Sequence, residues 1–480
     1  MNNVFKLSRF LVLALLLAGC LAAPRAAHAA FGLTSDATFY TVDTGAGLVF
    51  QVRRTDNGSN TQSVGDISNL VYNGVDYQDQ SRGSQVNSGF DFLYSGASAV
   101  TASSSVVSPT TIKITVEAGS LVNYYLARKG YPQIYMGTYF TAEPDTLNLC
   151  RYIVRIPSAL LPNGPTPSDI RNTTSTVESK DIFALPNGET RSKHYSNQRL
   201  LDWTTMSATG NAVGIWMVRD SNEGNSGGPF FRCLLNQRSS DQEITYIVNY
   251  GEGQTEAFRP GILNTYALAF TNGALPSVPL DTSWYGAMGL TGYVLVTGRG
   301  RVTGIGIAGR ATWYAYTVGF SNSKAQYWTA ARSPNEYFGL AGMLPGTYKL
   351  TIYKNELAVY TSSITVTAGL TTFLHPLSIT GDPSSVAPLW HIGDWDGSPL
   401  EFLNGSKVTY MHPSDERKSS WNPGPCVVGT YRSNNVTYTF AVPQSALLAG
   451  ANMLTLSPVS GSSGPGFLSP GYSLDCVDMY

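Results

Sequence analysis

Apolar residues recur at every second position along the longest patterned stretches of the chain. Alternation of this kind indicates a β-strand with one face towards a core and the other towards water. The pattern is clearest over residues 111–117, 348–353 and 435–440. No stretch of the sequence sustains the spacing of an amphipathic helix, so the chain is predicted to be all-β.

Clusters of turn-forming residues separate the alternating stretches, as at Asn73-Gly74 and Gly381–Ser385. They divide the chain into three expected units. Residues 30–277 form one large block, 278–370 a small sandwich and 386–480 a third β unit. The turn Pro345-Gly346-Thr347 before an alternating strand is typical of fibronectin-like modules.

The composition of the chain says more about which classes of molecule the protein binds than about its fold. Of 480 residues, 48 are Gly, 28 Tyr and 26 Pro, which suits short strands joined by many turns. Charged residues make up 13% and the formal net charge is −1. This balance argues against a nucleic-acid partner, and an anionic polysaccharide would have to be met by local Arg and Lys side chains.

The first residues predict export from the cytoplasm. Lys6 and Arg9 precede an apolar run over 10–17, which is too short to span a bilayer. Residues 1–29 are therefore predicted to be a signal peptide, released after Ala27-His28-Ala29. The competing exit is the lipobox-like 17–20, which would leave the protein lipid-anchored to a membrane through Cys20.

Four cysteines lie beyond the signal: Cys150, Cys233, Cys426 and Cys476. In an oxidising compartment an even count permits disulfides, and Cys426–Cys476 is one candidate pair. Buried free thiols are the equal alternative. No C-x-x-C spacing or His cluster predicts a metal site.

Nine short runs carry a resemblance to a known family. In chain order they are Ala30-Phe31-Gly32, 139–144, 188–193, 226–230, 254–256, 298–300, 325–329, 392–397 and 411–415. Together they resemble polysaccharide lyase family 4, the rhamnogalacturonan lyases. The resemblance implies a large catalytic β-sandwich, a fibronectin type III-like sandwich and a carbohydrate-binding jelly roll. Between Trp421 and Tyr431 this chain is several strands shorter than the family's jelly roll.

The resemblance also implies a reaction, the cleavage of the rhamnose–galacturonate linkage in pectic rhamnogalacturonan I by β-elimination. Such an enzyme removes the proton alpha to a uronate carboxylate and expels the glycosidic oxygen at the beta position. It needs a cation on the carboxylate, a base beside it and a proton donor for the leaving oxygen. No cofactor is implied, although calcium stays possible, and a monomer is expected.

The candidate base is Lys193, which matches the family's catalytic lysine within 189–193. Arg191, two positions earlier, would share its strand face and is a candidate substrate contact. Arg151 and Arg155 share one face of a predicted strand, roughly 13 Å apart at about 3.3 Å per residue. The family has arginines here, so both are predicted to hold uronate groups of the substrate.

The candidate acid is a different residue type from the one that the family has at this position. Glu252 occupies the place of the family's histidine, close to Glu256, which is a predicted substrate contact. Glu252 donates the leaving-group proton in one interpretation, and His194 does so in a second. A third interpretation is a weakened site, since a glutamate repels an anionic substrate unless it is protonated or paired with Arg259.

Other positions at which relatives carry histidine or aromatic residues have also changed. They read here as Gln85, Phe231, Thr245, Ile247 and the segment 261–264.

Two other classes of function stay open at this point. A glycoside hydrolase needs two catalytic carboxylates, which Glu252 and Glu256 would supply. A pectin-binding protein without catalysis would keep the sandwich and its arginines after losing the acid. Loss of activity in Lys193→Ala separates a lyase from both.

Overall fold

The computed structural model describes residues 30–56, 62–90, 100–144, 149–178, 180–196, 204–252, 255–332, 337–402, 405, 411–412, 415–416, 437–455 and 475–480. Regular structure within these ranges consists of strands and short 3-10 helices, which confirms the all-β prediction. Helices long and apolar enough to cross a membrane are absent from the same ranges. The predicted signal peptide and Cys20 lie outside them.

The first unit contains nineteen of the described strands. They are β1 Gly32–Ser35, β2 Phe39–Asp43, β3 Leu48–Arg53, β4 Ile67–Tyr72, β5 Val75–Asp76, β6 Gln85–Val86, β7 Val100–Ser108, β8 Thr111–Ala118, β9 Leu121–Arg128, β10 Gln133–Phe140, β11 Cys150–Pro157, β12 Ser175–Glu178, β13 Ile182–Ala184, β14 Thr190–Ser192, β15 Thr205–Gly210, β16 Val213–Arg219, β17 Leu234–Arg238, β18 Asp241–Asn249 and β19 Leu263–Thr271. One 3-10 turn lies at Thr166–Ser168.

These strands form four antiparallel sheets. A seven-stranded sheet has the order β15-β16-β19-β10-β9-β8-β7, and a four-stranded sheet has the order β17-β18-β11-β6. Strands β1 to β5 form a meander, while β12, β13 and β14 make a separate small sheet. The small sheet carries the predicted base, and the four-stranded sheet carries the predicted arginine pair.

Buried aromatic rings fill the space between the sheets. Tyr246 of the four-stranded sheet lies 4.8 Å from Tyr266 of the seven-stranded sheet, measured between ring centroids. Tyr72 of the meander lies 5.4 Å from Phe270 of the seven-stranded sheet. The seven-stranded sheet therefore faces both of the others, and the first unit is a β-sandwich. Ring pairs of this kind add about 0.5–1.5 kcal/mol each beyond the area they bury.

Local sequence explains why these strands form. In β8, Ile112, Ile114 and Val116 are buried while the residues between them are more exposed, which confirms the strand predicted over 111–117. The Asn73-Gly74 turn joins β4 to β5 with φ of 50° and 85°. Both values are positive, as a two-residue hairpin turn requires, and Asn-Gly is the sequence best suited to it.

The segment after β19 packs back onto the first unit. A 3-10 helix covers Ser283–Ala287 and a second covers Val296–Gly298. Leu280, Tyr285 and Leu290 are buried against the outer face of the seven-stranded sheet. The first strand of the middle unit begins only at Gly300, later than the start at 278 expected from the sequence.

The middle unit has its own core and its own strands: β20 Gly300–Gly304, β21 Ile307–Ala308, β22 Tyr316–Ser321, β23 Gln326–Ala330, β24 Phe338–Met343, β25 Gly346–Lys354, β26 Leu357–Val366, β27 Thr371–Leu374 and β28 Leu377–Ser378. Its main sheets have the orders β24-β20-β27 and β23-β22-β25-β26. The strand predicted over 348–353 lies within β25, where Tyr348, Leu350 and Ile352 are buried.

The described part of the third unit contains one strand pair, β29 Trp390–Gly393 with β30 Cys476–Met479. Short 3-10 helices cover Pro383–Ser385 and Gln444–Ala446. The prediction of a strand over 435–440 was wrong for the described part of that range, because residues 437–440 form no strand. Tyr438 and Phe440 are 75% and 71% exposed, so the apolar side of the pattern is not covered.

The cysteines favour the free-thiol interpretation. Cys150 and Cys233 are buried free thiols, and Cys476 is also free. Cys426 itself lies outside the described residues. Burial raises the pKa of the Cys233 thiol to about 12, so this thiol stays protonated and unreactive.

Candidate active site

Lys193 follows β14 directly and is held by the neighbouring turn. Its backbone N–H donates to the Asp181 carbonyl at 3.1 Å, and its ammonium Nζ lies 3.3 Å from Asp181 Oδ1. Its side chain is 26% exposed, so it is reachable from solvent. Asp181 belongs to the turn between β12 and β13, so the small sheet supplies both halves of this ion pair.

The segment after Lys193 is fixed at several points. The N–H groups of His194 and Tyr195 donate to Ser192, at its Oγ and its carbonyl respectively, each over 3.1 Å. Ser196 Oγ accepts from the backbone N–H of Asn236 in β17 at 2.9 Å. The segment that carries Lys193 is therefore attached, through Ser196, to β17 at the edge of the four-stranded sheet.

Arg151 lies on the outer face of that sheet, at a β-bulge between Cys150 and Arg151. Bulges re-aim side chains and are common beside active sites. Asn87 braces the bulge: its side-chain oxygen accepts from the Arg151 N–H at 2.9 Å, and its own N–H donates to the Arg151 carbonyl at 2.8 Å. Arg151 Nε is buried and has no hydrogen-bond partner among the described residues.

Electrostatics link Arg151 to the small sheet. Burial lowers the pKa of the Arg151 guanidinium, and so does the charge of Arg155. The negative charges of Glu243 and Asp181, and the Tyr250 phenol, oppose that lowering of the pKa. The Asp181 carboxylate thus acts electrostatically on Arg151 and contacts Lys193 directly.

Tyr250 closes this group from the end of β18. It is 4% exposed, its N–H donates to Ser226 Oγ at 2.9 Å, and its ring meets Phe231 edge-on at 4.6 Å. Phe231, Leu235, Ile247 and Tyr250 form a small apolar cluster beside Arg151. Phe231 and Ile247, two positions expected from the sequence to differ from the family, therefore belong to an apolar cluster.

Arg155 lies on the same face of β11 as Arg151, two residues after Ile153. Its surroundings differ from those of Arg151. It is 6% exposed, its Nε lies 3.2 Å from Glu243 Oε1, and its Nη1 donates to the Gly83 carbonyl at 2.6 Å. Arg82 Nη1 contacts the same Glu243 oxygen at 2.8 Å. Burial lowers the pKa of Arg155, while the Glu243 carboxylate opposes the effect. Arg155 is therefore committed to an ion-pair network within the sheet.

Arg191 and Lys193 each have a separate acidic partner. Arg191 Nη1 lies 2.9 Å from Glu189 Oε2 and donates to the Thr190 carbonyl at 3.0 Å. Because Lys193 pairs with Asp181, the two cations are held by different carboxylates.

Glu252 begins the loop that follows Tyr250, and its side chain is exposed. Its backbone N–H donates to Glu143 Oε1 at 2.7 Å, and Phe258 N–H donates to Glu143 Oε2 at 3.1 Å. Glu143 therefore ties together the two ends of this loop. Residues 253–254 are outside the described ranges.

Glu256 lies at the junction with the middle unit. Its Oε1 is 2.7 Å from Arg259 Nη2 and accepts from Gly227 N–H at 3.0 Å. It lines a cavity of about 270 Å³ together with Trp328 and Tyr353 of the middle unit. Arg259 thus pairs with Glu256.

Sequence reasoning missed two members of this site. Asp181 belongs to no recognisable motif, and only its position in the turn beside β14 brings it to Lys193. Tyr250 lies inside the segment that aligns with the family, but a tyrosine in an apolar run gives no signal of its own. Within the described residues, no group of three or more His, Cys, Asp and Glu side chains gathers as metal ligands do.

A β-sandwich that carries the Lys193–Asp181 ion pair within electrostatic reach of the buried Arg151 defines the class of site: one with positive charge suited to an anionic ligand. Comparison with known proteins gives the particular family. The family model described as "Rhamnogalacturonan lyase B, N-terminal" matches residues 31–292, which is more than half of the chain. The model described as "Polysaccharide lyase family 4, domain II" matches residues 298–374.

Individual relatives agree with the family models. The chain is 33% identical to Rhamnogalacturonate lyase A of Emericella nidulans, with 95% of this chain and 97% of that protein covered. It is 32% identical to Rhamnogalacturonate lyase A of Aspergillus aculeatus over the same shares of both chains. The protein belongs to polysaccharide lyase family 4, the rhamnogalacturonan lyases, which confirms the resemblance noted in the sequence.

Proposed function

We propose that the protein is a rhamnogalacturonan lyase, which cleaves the rhamnose–galacturonate linkage of rhamnogalacturonan I by β-elimination. The observation that carries the proposal is the ion pair of Lys193 with Asp181, whose charge also acts on the buried Arg151, in a sandwich that belongs to this family. The relatives named rhamnogalacturonate lyase support the same substrate class.

The chemistry assigns a role to each of these residues. The Arg151 guanidinium binds the galacturonate carboxylate and offsets the charge that grows there as the neighbouring C–H bond breaks. Lys193 acts as the general base and takes that proton. The electron pair forms a carbon–carbon double bond while the glycosidic C–O bond breaks. Asp181 orients Lys193 and stabilises the ammonium formed by the transfer.

The leaving glycosidic oxygen takes a proton from an acid, and we propose Glu252 for this step. Glu252 lies two residues after Tyr250, whose phenol acts electrostatically on Arg151, and Glu143 fixes the Glu252 backbone. His194 is the second candidate, since it adjoins Lys193 in the chain. Glu252→Gln keeps the shape and removes the acidic proton, so it is expected to slow turnover by about 100-fold, while His194→Gln leaves it within about threefold.

The remaining predicted contacts take supporting positions in this proposal. Arg191 contributes positive charge beside Lys193 for a second uronate group of the polymer. Arg155 acts from within the sheet by fixing Glu243, and Glu256 steadies the loop that carries Glu252 through its pair with Arg259. We also propose that the protein is exported and acts as a monomer, either released after Ala29 or anchored through Cys20.

The test is ultraviolet absorbance during incubation with rhamnogalacturonan I, which reports the conjugated double bond of the product. Wild-type protein is expected to give a steady rise. Lys193→Ala is expected to reduce that rate by about 1,000-fold, the scale of a lost general base. Lys349→Ala is the matched control, because Lys349 is an exposed lysine of β25 in the middle unit.

Two results would contradict the proposal. Flat absorbance with retained binding of the polymer would indicate a pectin-binding protein. New reducing ends without absorbance, lost in both Glu252→Gln and Glu256→Gln, would indicate a hydrolase.

A further inference from the structure

Three described residues of the third unit, His412, Asp415 and Glu416, form hydrogen bonds with the small sheet of the first unit or with the turn before β14. Together with Met411 we call them the clamp segment. Met411 and Asp415 are 2% and 0% exposed. The segment carries the 411–415 run noted in the sequence, for which the chemistry of the active site provides no role.

Asp415 holds the first residue of β14. Its Oδ2 accepts two hydrogen bonds from Thr190, one from the backbone N–H at 2.8 Å and one from the hydroxyl Oγ1 at 3.1 Å. Thr190 is 1% exposed. Hydrogen bonds to a charged acceptor away from water are among the stronger ones in proteins, so this contact fixes the start of β14.

His412 holds the same strand and a second one. Its backbone N–H donates to Thr190 Oγ1 at 3.1 Å, and its ring Nε2 lies 2.7 Å from Glu178 Oε2. Glu178 is the last residue of β12. The clamp segment therefore grips both outer strands of the three-stranded sheet, on either side of β13.

Glu416 completes the contact by donating its N–H to the Gly188 carbonyl at 3.0 Å. Gly188 has φ of +80°, and a Cβ built there would lie 2.2 Å from Glu416 Cδ. A side chain at position 188 would thus meet both backbone strain and a clash. Glycine here permits the close approach of the two units.

The two residues held by the clamp segment, Glu178 and Thr190, each lie close in the chain to one member of the Lys193–Asp181 ion pair. Glu178 precedes Asp181 by three residues, and Thr190 precedes Lys193 by three residues. The Asp181 N–H donates to the Glu178 carbonyl at 3.0 Å, and the Lys193 N–H donates to the Asp181 carbonyl at 3.1 Å. A shift of either strand would therefore change the Lys193–Asp181 geometry directly.

We propose that Asp415 and His412 are positioning residues for the elimination reaction, acting from the third unit through Thr190 and Glu178 on Lys193 and Asp181. The proposal rests on the proposed lyase function. It gives the third unit a part in catalysis that is separate from sugar binding. A catalytic base displaced by about 1 Å loses on the order of 100-fold in rate, so strand placement at this point has a measurable consequence.

The test compares Asp415→Ala with Asp415→Asn and with Asp394→Ala, an exposed aspartate of the same unit. Three quantities are measured on the full chain: kcat and KM on rhamnogalacturonan I, melting temperature, and hydrogen exchange of the amides between 180 and 193. Asp415→Ala is expected to lower kcat by about 10- to 100-fold with KM within about twofold. Exchange at the Lys193 amide is expected to accelerate.

The conservative variant separates positioning from stability. In Asp415→Asn the new amide oxygen accepts the same two bonds from Thr190, so kcat and slow exchange are expected to recover to within about threefold of wild type. Unchanged kcat and unchanged exchange in Asp415→Ala would overturn the proposal. A loss of kcat that appears only near the melting temperature, and is absent well below it, would reflect unfolding and would also overturn the proposal.

The exchange measurement also keeps this proposal apart from the proposed function. A wild-type protein that forms no unsaturated product would overturn the lyase function. In that case accelerated exchange in Asp415→Ala would still support the clamp, and unchanged exchange would overturn it.

Discussion

Arg151 and Arg155 are the same residue type on the same face of β11, yet their surroundings differ. Arg155 is 6% exposed, and its guanidinium is held by Glu243 and the Gly83 carbonyl. Arg151 stands at a bulge, with a buried Nε that has no partner among the described residues. A short distance along one strand thus separates an arginine of the ion-pair network from an arginine of the site.

The difference comes from what each neighbouring strand offers. Arg155 is paired in register with Glu243 of β18, so its charge is answered across the ladder. Arg151 is opposite Ile247, which offers no charge. Besides Glu243, the carboxylate of Asp181 on the small sheet acts electrostatically on Arg151, and Lys193 contacts that carboxylate. An arginine that keeps a hydrogen-bond donor unused is suited to binding an anion from solution.

The largest expected effect is on stability, in Arg155→Ala. Removing one partner of a buried ion pair leaves Glu243 partly uncompensated, so the free energy of unfolding should fall by about 3 kcal/mol. Arg301→Ala, an exposed arginine of β20, is the control and should change it by less than about 0.5 kcal/mol. Chemical denaturation measures both. An unchanged midpoint in Arg155→Ala would remove the contrast with Arg151.

Next in size is Arg151→Ala, whose effect should fall on catalysis. Loss of the guanidinium should lower kcat/KM by about 100-fold, equivalent to about 2.7 kcal/mol of transition-state stabilisation. Stability should change by no more than about 1 kcal/mol, because Arg151 Nε gives up no hydrogen bond to the described residues. Initial rates and a thermal melt decide it. Rates equal to those of the wild type would place the carboxylate elsewhere.

A milder change at the same position, Arg151→Lys, should cost about tenfold in kcat/KM. The positive charge is kept, but the planar fork that binds a carboxylate through two parallel bonds is lost. Steady-state kinetics on rhamnogalacturonan I measure the difference. A loss as large as that of Arg151→Ala would mean that geometry, rather than charge, carries the whole contribution.

The smallest expected effect is that of Glu243→Gln. The amide oxygen can still accept from Arg155 and Arg82, so only the charge is removed and stability should fall by about 1 kcal/mol. Denaturant unfolding provides the value. A loss that exceeds that of Arg155→Ala would show that Arg82, rather than Arg155, dominates the network.

The sequence predicted the parts of the fold that depend on local pattern. Alternation in 111–117 and 348–353 became buried-and-exposed faces of β8 and β25. The same alternation failed at 437–440, where Tyr438 and Phe440 remain exposed. Alternation describes a strand's two faces, but a strand also needs a partner, and the pattern does not encode one.

The site was only partly predictable for a similar reason. Period two correctly placed Arg151 and Arg155 on one face of β11, but it carries no information about depth or about Glu243 on another strand. Asp181 reaches Lys193 only because the small sheet folds its turn against the end of β14, and Asp415 reaches β14 from the third unit. Asp415 lies 225 residues from Thr190, and no local sequence signal spans that distance.

Digestion of rhamnogalacturonan I in oxygen-18 water separates elimination from hydrolysis most directly. Elimination breaks the glycosidic bond without adding water, so we expect unsaturated galacturonate ends and no oxygen-18 at the cleaved bond. Mass spectrometry of the products measures both features. Saturated ends that carry one oxygen-18 atom per cleavage would show that the protein is a hydrolase and not a lyase.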